Sequence, residues 1–304
     1  MWRYLVFVYE NRISVKDLIE YIFAHNHIYY IAISLNLCQH RKVFSKQEFI
    51  NIIVFLYIRN VFERDEYKMK RIPTGVAGFD ELIQGGIPEG ASVLVSGGAG
   101  SGKTIFATSY IYEGARKFGD PGLFVTVEDN LKNIVWNMEN FGWDIKSLEQ
   151  RNLMKIYRMH IDPRKEIEAQ IDKELDIIAS MVKDIGAVRL TLDSTTAFSA
   201  WIPEQGKLRN LLFRFSDYLK DLNCTTMMTA ETNGGARDFS AFGVEEFVVD
   251  GIFAMYFIPP HRAMFVRKLR GTKHSQSVHP YQIGTEGIVV NPKDEVMWSA
   301  IKQY

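Results

Sequence analysis

Gly97-Gly98-Ala99-Gly100-Ser101-Gly102-Lys103-Thr104 spells the pattern G-x-x-x-x-G-K-[ST]. Glycines let a backbone close tightly, with N–H groups turned inward onto phosphate oxygens. A lysine directly after the last glycine reaches the β- and γ-phosphates of a nucleotide, and the Thr104 hydroxyl is a ligand for Mg²⁺. Gly97 to Ile105 therefore form a candidate nucleotide-binding run.

A phosphate loop works with an acid on the metal side. Val188-Arg189-Leu190-Thr191-Leu192-Asp193 is a short β-prone segment that ends in a carboxylate, so Asp193 joins Thr104 as a candidate Mg²⁺ ligand. Hydrolysis also needs a group that polarises the attacking water. Leu123-Phe124-Val125-Thr126-Val127 ends in Glu128-Asp129. Glu128, expected directly on the strand and with the longer arm, is the first choice for general base. Asp129 is the second, and Lys103 completes the catalytic set.

These residues need a frame. Val93-Leu94-Val95 reads as a strand before the loop, and Ile105-Phe106-Ala107 opens a helix reaching about Lys117. That helix points its N-terminus, with its favourable dipole, at the phosphates. Glu166 to Lys183 has helical character and precedes the Asp193 strand. The implied class is α/β, with ligand groups gathered at the carboxyl ends of strands.

The composition of the 304 residues narrows the class further. Lys plus Arg and Asp plus Glu are each 36, so the net charge is zero, which argues against holding nucleic acid by bulk charge. Only Cys38 and Cys224 are present, so neither a disulfide framework nor a multi-cysteine metal site can be built. A reducing, cytoplasmic setting is expected. All 22 glycines and nine prolines lie after residue 68, which places a boundary between residues 1–68 and 69–304. Two readings of residues 1–68 stand open. Ser14 with Asp17 and Ser45 with Glu48 have capping-box spacing, consistent with a helical appendage. Alternatively, translation begins at Met69, behind a Glu63-Arg64-Asp65-Glu66 stretch that purine codons could encode as a ribosome-binding site. Tyr21 to His40 lacks charged side chains but is interrupted by polar residues, so no membrane span is expected.

Residues 69 to about 293 resemble a KaiC-type domain of the RecA-like ATPases. The resemblance rests on Thr74-Gly75-Val76-Ala77-Gly78-Phe79-Asp80-Glu81-Leu82, on Gly85-Gly86-Ile87-Pro88-Glu89-Gly90, and on Phe124 to Asp129. Phe141-Gly142-Trp143, Thr225 to Glu231, Gly243 to Asp250 and Lys268-Leu269-Arg270-Gly271-Thr272-Lys273-His274 extend it. It implies a RecA-like fold, a mainly parallel sheet flanked by helices. It also implies ATP and Mg²⁺ held between subunits of a homo-oligomeric ring, usually a hexamer. Lys268 and Arg270 then match residues that reach a neighbour's γ-phosphate, while Leu269, Thr272 and His274 match other neighbour-side contacts. Asn140 matches a contact on the nucleotide's own subunit, and Glu231 ends the sensor strand. The sequence departs from the family at three points. It carries one phosphate loop where the clock protein has two domains. Its acidic pair ends in Asp129 rather than a second glutamate. Glu245 and Glu246 stand where the autophosphorylating domain has Ser and Thr, so autokinase activity is not expected.

A different class remains as the alternative, a RecA/RadA-like DNA-strand-exchange ATPase. Its DNA loops would correspond to Thr195–Lys207 and Thr232–Phe242, where Lys207 and Arg237 are the only basic residues. Phe198, Trp201, Phe239 and Phe242 could stack bases there. A slow, ATP-gated scaffold would use the same residues as a faster ATPase. No motif names a client protein.

Overall fold

The structure is a computed structural model that describes residues 69–232 and 245–297. Expectations for residues 1–68, for most of the second candidate DNA loop and for Gly243-Val244 fall outside the described residues. The described residues start with a two-stranded antiparallel ribbon, β1 (Arg71–Ile72) on β2 (Ile87–Pro88), around a 3₁₀ turn at Asp80–Ile83. β3 (Ser92–Gly97) then leads through the phosphate loop into α1 (Lys103–Glu113). β4 (Gly122–Thr126), α2 (Leu131–Asn140), α3 (Ile145–Gln150), β5 (Met154–Arg158) and α4 (Ile167–Ile185) follow. Next come β6 (Arg189–Asp193), α5 (Thr196–Trp201), α6 (Gln205–Asp221), β7 (Thr225–Glu231) and α7 (Glu245–Val248). Four strands come last among the described elements: β8 (Gly251–Ile258), β9 (His261–Leu269), β10 (Val278–Gly284) and β11 (Gly287–Val290).

One nine-stranded sheet runs in the order β11-β10-β9-β8-β3-β7-β6-β4-β5. From β8 to β5 every pairing is parallel. From β8 to β11 every pairing is antiparallel. Central parallel strands are covered on both faces and so read as continuous apolar runs, as Val93-Leu94-Val95 does. α1 to α3 cover one face, through Phe106, Ile111, Ile134 and Leu148. α4 and α6 cover the other, through Ile171, Ile178, Leu211 and Phe215. α4 matches its expectation: Ile171, Leu175, Ile178 and Val182 form a buried stripe, and Gly186 (φ 63°) stops the helix.

α1 differs from its expected extent. Regular α-helix ends at Glu113, and Gly114–Phe118 are wound as a π-turn. The fully buried side chain of Arg189 is the physical reason. A Cβ at Gly114 would stand 2.4 Å from its Cδ. Its Nη1 donates to Tyr110 O at 3.1 Å and Pro73 O at 2.7 Å, and its Nη2 pairs with Asp120 Oδ2 at 2.6 Å. One guanidinium thus joins the lead-in, the phosphate-loop helix and the sheet.

β9 carries a bulge. Ile252 stands opposite Lys268, but Phe253 stands opposite Val266, so the register slips by one residue at Arg267. Beyond the slip, Leu269 lies opposite Gly251, where a Cβ would meet Leu269 Cδ1 at 2.7 Å and Val93 Cγ1 at 2.8 Å.

Candidate nucleotide site

The carboxyl ends of β3, β4, β6 and β7 carry the expected site residues. β3 ends at Gly97, whose missing side chain is a packing requirement: a Cβ there would stand 2.2 Å from Met255 O on β8. Gly102 has φ 94° and lies against Ile283, a second position that only glycine fills without strain. Lys103 is 8% exposed, and its Nζ donates to Gly98 O at 3.1 Å. Burial lowers its pKa, while Glu231 and Asp193 pull the other way. Glu231 Oε1 stands 3.9 Å from Nζ. The ammonium is thus held inside the loop beside two carboxylates.

Thr104 and Asp193 meet as their spacing predicted. Thr104 Oγ1 donates to Asp193 Oδ2 at 2.9 Å. The other carboxylate oxygen, Oδ1, accepts from the Thr229 hydroxyl on β7. Asp193 is 7% exposed; burial pushes its pKa up, and the Thr229 and Thr104 hydroxyls oppose that shift. Thr229 O in turn accepts from Thr195 N and Thr195 Oγ1, at 2.9 and 3.0 Å. Sequence reasoning missed Thr229, because only the β6–β7 pairing places it there.

Glu128 and Asp129 stand at the same end. β4 stops at Thr126, so Glu128 lies two residues beyond the strand rather than directly on it as expected. Asp129 N donates to Thr126 Oγ1 at 3.1 Å, and Arg158 Nη2 reaches Glu128 O at 3.4 Å, which fixes this corner. Partial desolvation raises the Glu128 pKa, and the charges of Glu231, Asp193 and Asp129 raise it further. A cavity of about 610 Å³ opens beside Glu128, lined also by Arg158, His160 and Trp201. Glu231 ends β7 with its N–H on Thr196 Oγ1 at 2.8 Å. Asn140 is the exposed last residue of α2, and Ile105 is half-buried on α1.

The residues present fit a nucleotide with Mg²⁺. The buried Ser101 Oγ has no hydrogen-bond partner inside the loop. Lys103, Thr104 and Asp193 supply one cation and two hard oxygen ligands at one point. The antiparallel extension adds residues that sequence reasoning did not place. Arg262 Nε donates to Gly100 O at 3.3 Å and its guanidinium lies 4.3 Å from the Phe257 ring centre. The Tyr281 hydroxyl donates to Ser101 O. No local spacing could have found the two contacts to the loop, because Gly100 lies 162 residues from Arg262 and Ser101 lies 180 residues from Tyr281.

The segment 268–274 lies elsewhere in its own chain. Lys268 Nζ donates to Glu246 O and Val249 O, each at 2.7 Å. Arg270 Nη1 pairs with Asp250 Oδ1 at 3.1 Å, and Asp250 N donates to Ser92 O at 2.7 Å. Ser92 begins β3, whereas the phosphate loop follows its end. Leu269 is 4% exposed, and the His274 Nδ1 contacts Ser275 O at 2.8 Å. The structure therefore brings Lys103, Thr104, Asp193, Glu128, Asp129 and Glu231 together, and places Lys268 to His274 at the opposite edge.

The first candidate DNA loop contains α5 and the start of α6. Its Phe198 is fully buried against Phe215, and Lys207 pairs with Glu204 at 2.8 Å. Phe198 is thus closed to base stacking, while Lys207 is exposed and carries a surface ion pair. Among the described residues, no helix is long and apolar enough to cross a membrane.

Comparison with known proteins gives one consistent result. The chain is 36% identical over 243 residues to a UPF0273 protein of Methanocaldococcus jannaschii, covering 75% of this chain and 99% of that protein. It is 35% identical over 238 residues to the circadian clock oscillator protein KaiC of Parathermosynechococcus lividus, covering 75% of this chain. It spans only 44% of that clock protein's length. The crystal structure of a KaiC-like protein from Pyrococcus horikoshii superposes with a TM-score of 0.66 at 36% identity, covering 74% of this chain and all of that one. The family described as "ATPase: KaiC" matches residues 72–295. With that match spanning the phosphate loop, the acidic corner and the antiparallel extension, the chain belongs to the KaiC family of ATPases.

Proposed function

We propose that this protein is a Mg²⁺-dependent ATPase that assembles into a homo-oligomeric ring, a hexamer, and completes each active site between two subunits. Its role is regulatory, with the ring's nucleotide state read by a client protein. Gly97 to Gly102 cradle the phosphates, and Lys103 neutralises charge that develops between the β- and γ-phosphoryl groups. Thr104 and Asp193 would hold Mg²⁺, which supplies Lewis-acid stabilisation of the phosphoryl oxygens. Glu128, with its raised pKa, takes a proton from the attacking water. Glu231, next to Lys103, senses the phosphate state. Asn140 contacts the nucleotide from the same subunit. Glu245 and Glu246 supply no hydroxyl for phosphoryl transfer, so hydrolysis is the outcome rather than autophosphorylation.

The observation that carries the shared site is the position of Arg270. Its anchor, Asp250, hydrogen-bonds to Ser92 at the start of β3. Ser92 to Gly97 spans about 16 Å of strand rise before the phosphate loop begins. Arg270 therefore faces away from its own phosphates, and a neighbour's site is the one it can complete. Lys268, Leu269, Thr272 and His274 travel with it. Head-to-tail contacts of this kind form rings when the rotation between successive subunits closes.

Mixed rings test the reading. Arg270→Ala chains keep their phosphate loop, and Lys103→Ala chains keep their Arg270. Each homogeneous ring should lose activity, since a trans-acting arginine contributes about 10³–10⁵ in rate. Co-expressed and doubly purified mixed rings should regain activity at interfaces that join an intact loop to an intact Arg270. Mixed rings as dead as either parent would refute the shared site.

A further inference from the structure

Arg71 stands in β1, far in sequence from every motif of the nucleotide site, yet its guanidinium is spent entirely on one task. Nη1 donates to Ile83 O at 3.3 Å, to Gly86 O at 3.0 Å and to Thr272 Oγ1 at 3.0 Å. Nη2 reaches Gln84 Oε1 at 3.4 Å and Gly271 O at 3.5 Å. Gln84 sits in a left-handed conformation, φ 58°, and its Oε1 also accepts from Lys273 N at 3.0 Å. Ser275 N donates to Leu82 O at 2.9 Å. The turn Leu82–Gly86 and the segment Gly271–Ser275 are therefore stitched together, with Arg71 at the centre of the seam.

We propose that Arg71 is a positioning residue for catalysis in the neighbouring subunit: it holds the segment that follows Arg270 in the shape from which Arg270 is delivered. This rests on the shared-site reading. The chemistry of the contacts favours it. The planar fork of a guanidinium fixes several acceptors in one geometry, which a lysine ammonium cannot do. Its acceptors divide between the ribbon turn and the Arg270 segment, so the group sets their relative place. Gly271, with φ 66°, is the pivot directly after Arg270 and one of the two residues on that segment that Arg71 grips. Among the described residues, the Arg270 side chain pairs with Asp250 alone and is otherwise exposed, 64% accessible. Its aim thus depends on the backbone that follows it. Arg71 makes no contact with the phosphate loop, with Glu128 or with Asp193, so its effect is indirect and exported.

The experiment uses full-length chains in three co-expressed pairs, each carrying two affinity tags so that only mixed rings are recovered. The first pair, Arg270→Ala with Lys103→Ala, tests the shared site alone. The second, Arg71→Ala with Lys103→Ala, tests the proposal. The third, Arg71→Ala with Arg270→Ala, is the control in which both chains are defective donors. Homogeneous Arg71→Ala rings should keep their melting temperature within a few degrees and lose at least tenfold in kcat. Arg71→Lys should recover part of that loss, because one donor of the fork is kept. In random rings, about one interface in four of the second pair joins an intact loop to an intact donor. Activity should rise toward a quarter of wild type in the first and second pairs and stay low in the third. Recovery in the first pair without recovery in the second overturns the role of Arg71, showing that its loss damages the chain that carries it. Failure of both pairs overturns the shared site and the proposal with it. Equal kcat in homogeneous Arg71→Ala and wild-type rings overturns the proposal alone.

Discussion

Thr229→Val removes one hydroxyl from the inner side of Asp193 and keeps the shape of the side chain. The wild-type carboxylate has two hydroxyl partners, Thr104 on Oδ2 and Thr229 on Oδ1, at a residue only 7% exposed. Thr104 is itself a proposed Mg²⁺ ligand, so Thr229 is the partner that remains when the ion is bound. Taking it away leaves Oδ1 buried without that donor. A hydrogen bond to a charged group contributes about 1.5–3 kcal/mol. Loss of an outer-shell partner typically weakens metal binding by about 10- to 100-fold, which agrees with that energy. Two effects act in the same direction: the carboxylate loses its orientation, and burial opposes its charge with less compensation. The expected outcome is a rise of about 10- to 100-fold in the Mg²⁺ concentration for half-maximal ATPase activity. Maximal rate at saturating Mg²⁺ should fall much less. Mg²⁺ titrations of a steady-state phosphate-release assay measure both. Thr229→Ser, which keeps the hydroxyl, should stay within about threefold of wild type. A Thr229→Val protein that folds normally and has an unchanged Mg²⁺ requirement would refute the reasoning, and would mean that Thr229 serves packing alone.

Glu128→Gln should slow hydrolysis by about 10²–10⁴ while ATP stays bound, because the amide keeps the shape but accepts no proton. Single-turnover hydrolysis with separate nucleotide analysis of the purified protein checks this. A base works deprotonated, and desolvation with neighbouring carboxylates raises the Glu128 pKa. The wild-type rate should therefore fall as pH drops through a midpoint above the ordinary glutamate range, and that acid limb should vanish in Glu128→Gln. A chain starting at Met69 should keep the ATPase rate and ring size of the full chain, since every site residue lies after it; analytical ultracentrifugation with a rate assay would expose an assembly role for residues 1–68 as a monomeric or inactive product.

The parts of the site legible in the sequence share one property: their signal is local. The phosphate loop is a run of eight residues, and Asp193 and Glu128 each follow a short apolar strand. The parallel sheet makes these local signals converge, because every such strand delivers its carboxyl end to the same edge. Helical character likewise marks α4, expected over Glu166 to Lys183 and found over Ile167–Ile185, whereas β7 enters the sequence reading only through the family resemblance. What was not legible depends on pairing between distant segments. Arg262 reaches Gly100 only because β9 folds back along β8. Thr229 looks like any strand threonine until β7 lies beside β6. The early end of regular winding in α1 has its cause in Arg189, a residue the sequence shows only as part of a β-prone run. Arg71 belongs to no local motif, and its role depends on contacts about 200 residues away.

The single-residue slip at Arg267 has a consequence for parity. Along a strand, side chains alternate between faces, so odd and even positions are separated. Arg262, at one end of β9, lies against the subunit's own phosphate loop; Arg270 follows its other end. Were β9 regular, the two arginines would share a face by count. The extra residue inverts that count between them and turns Leu269 inward onto Gly251. A strand of the same length without the slip would set Arg267 opposite Ile252 and turn Lys268 to Arg270 to the opposite side, leaving each of those residues present in the chain but pointing the wrong way. The order of residues in this segment is thus only half of its specification, and the slip at Arg267 supplies the rest.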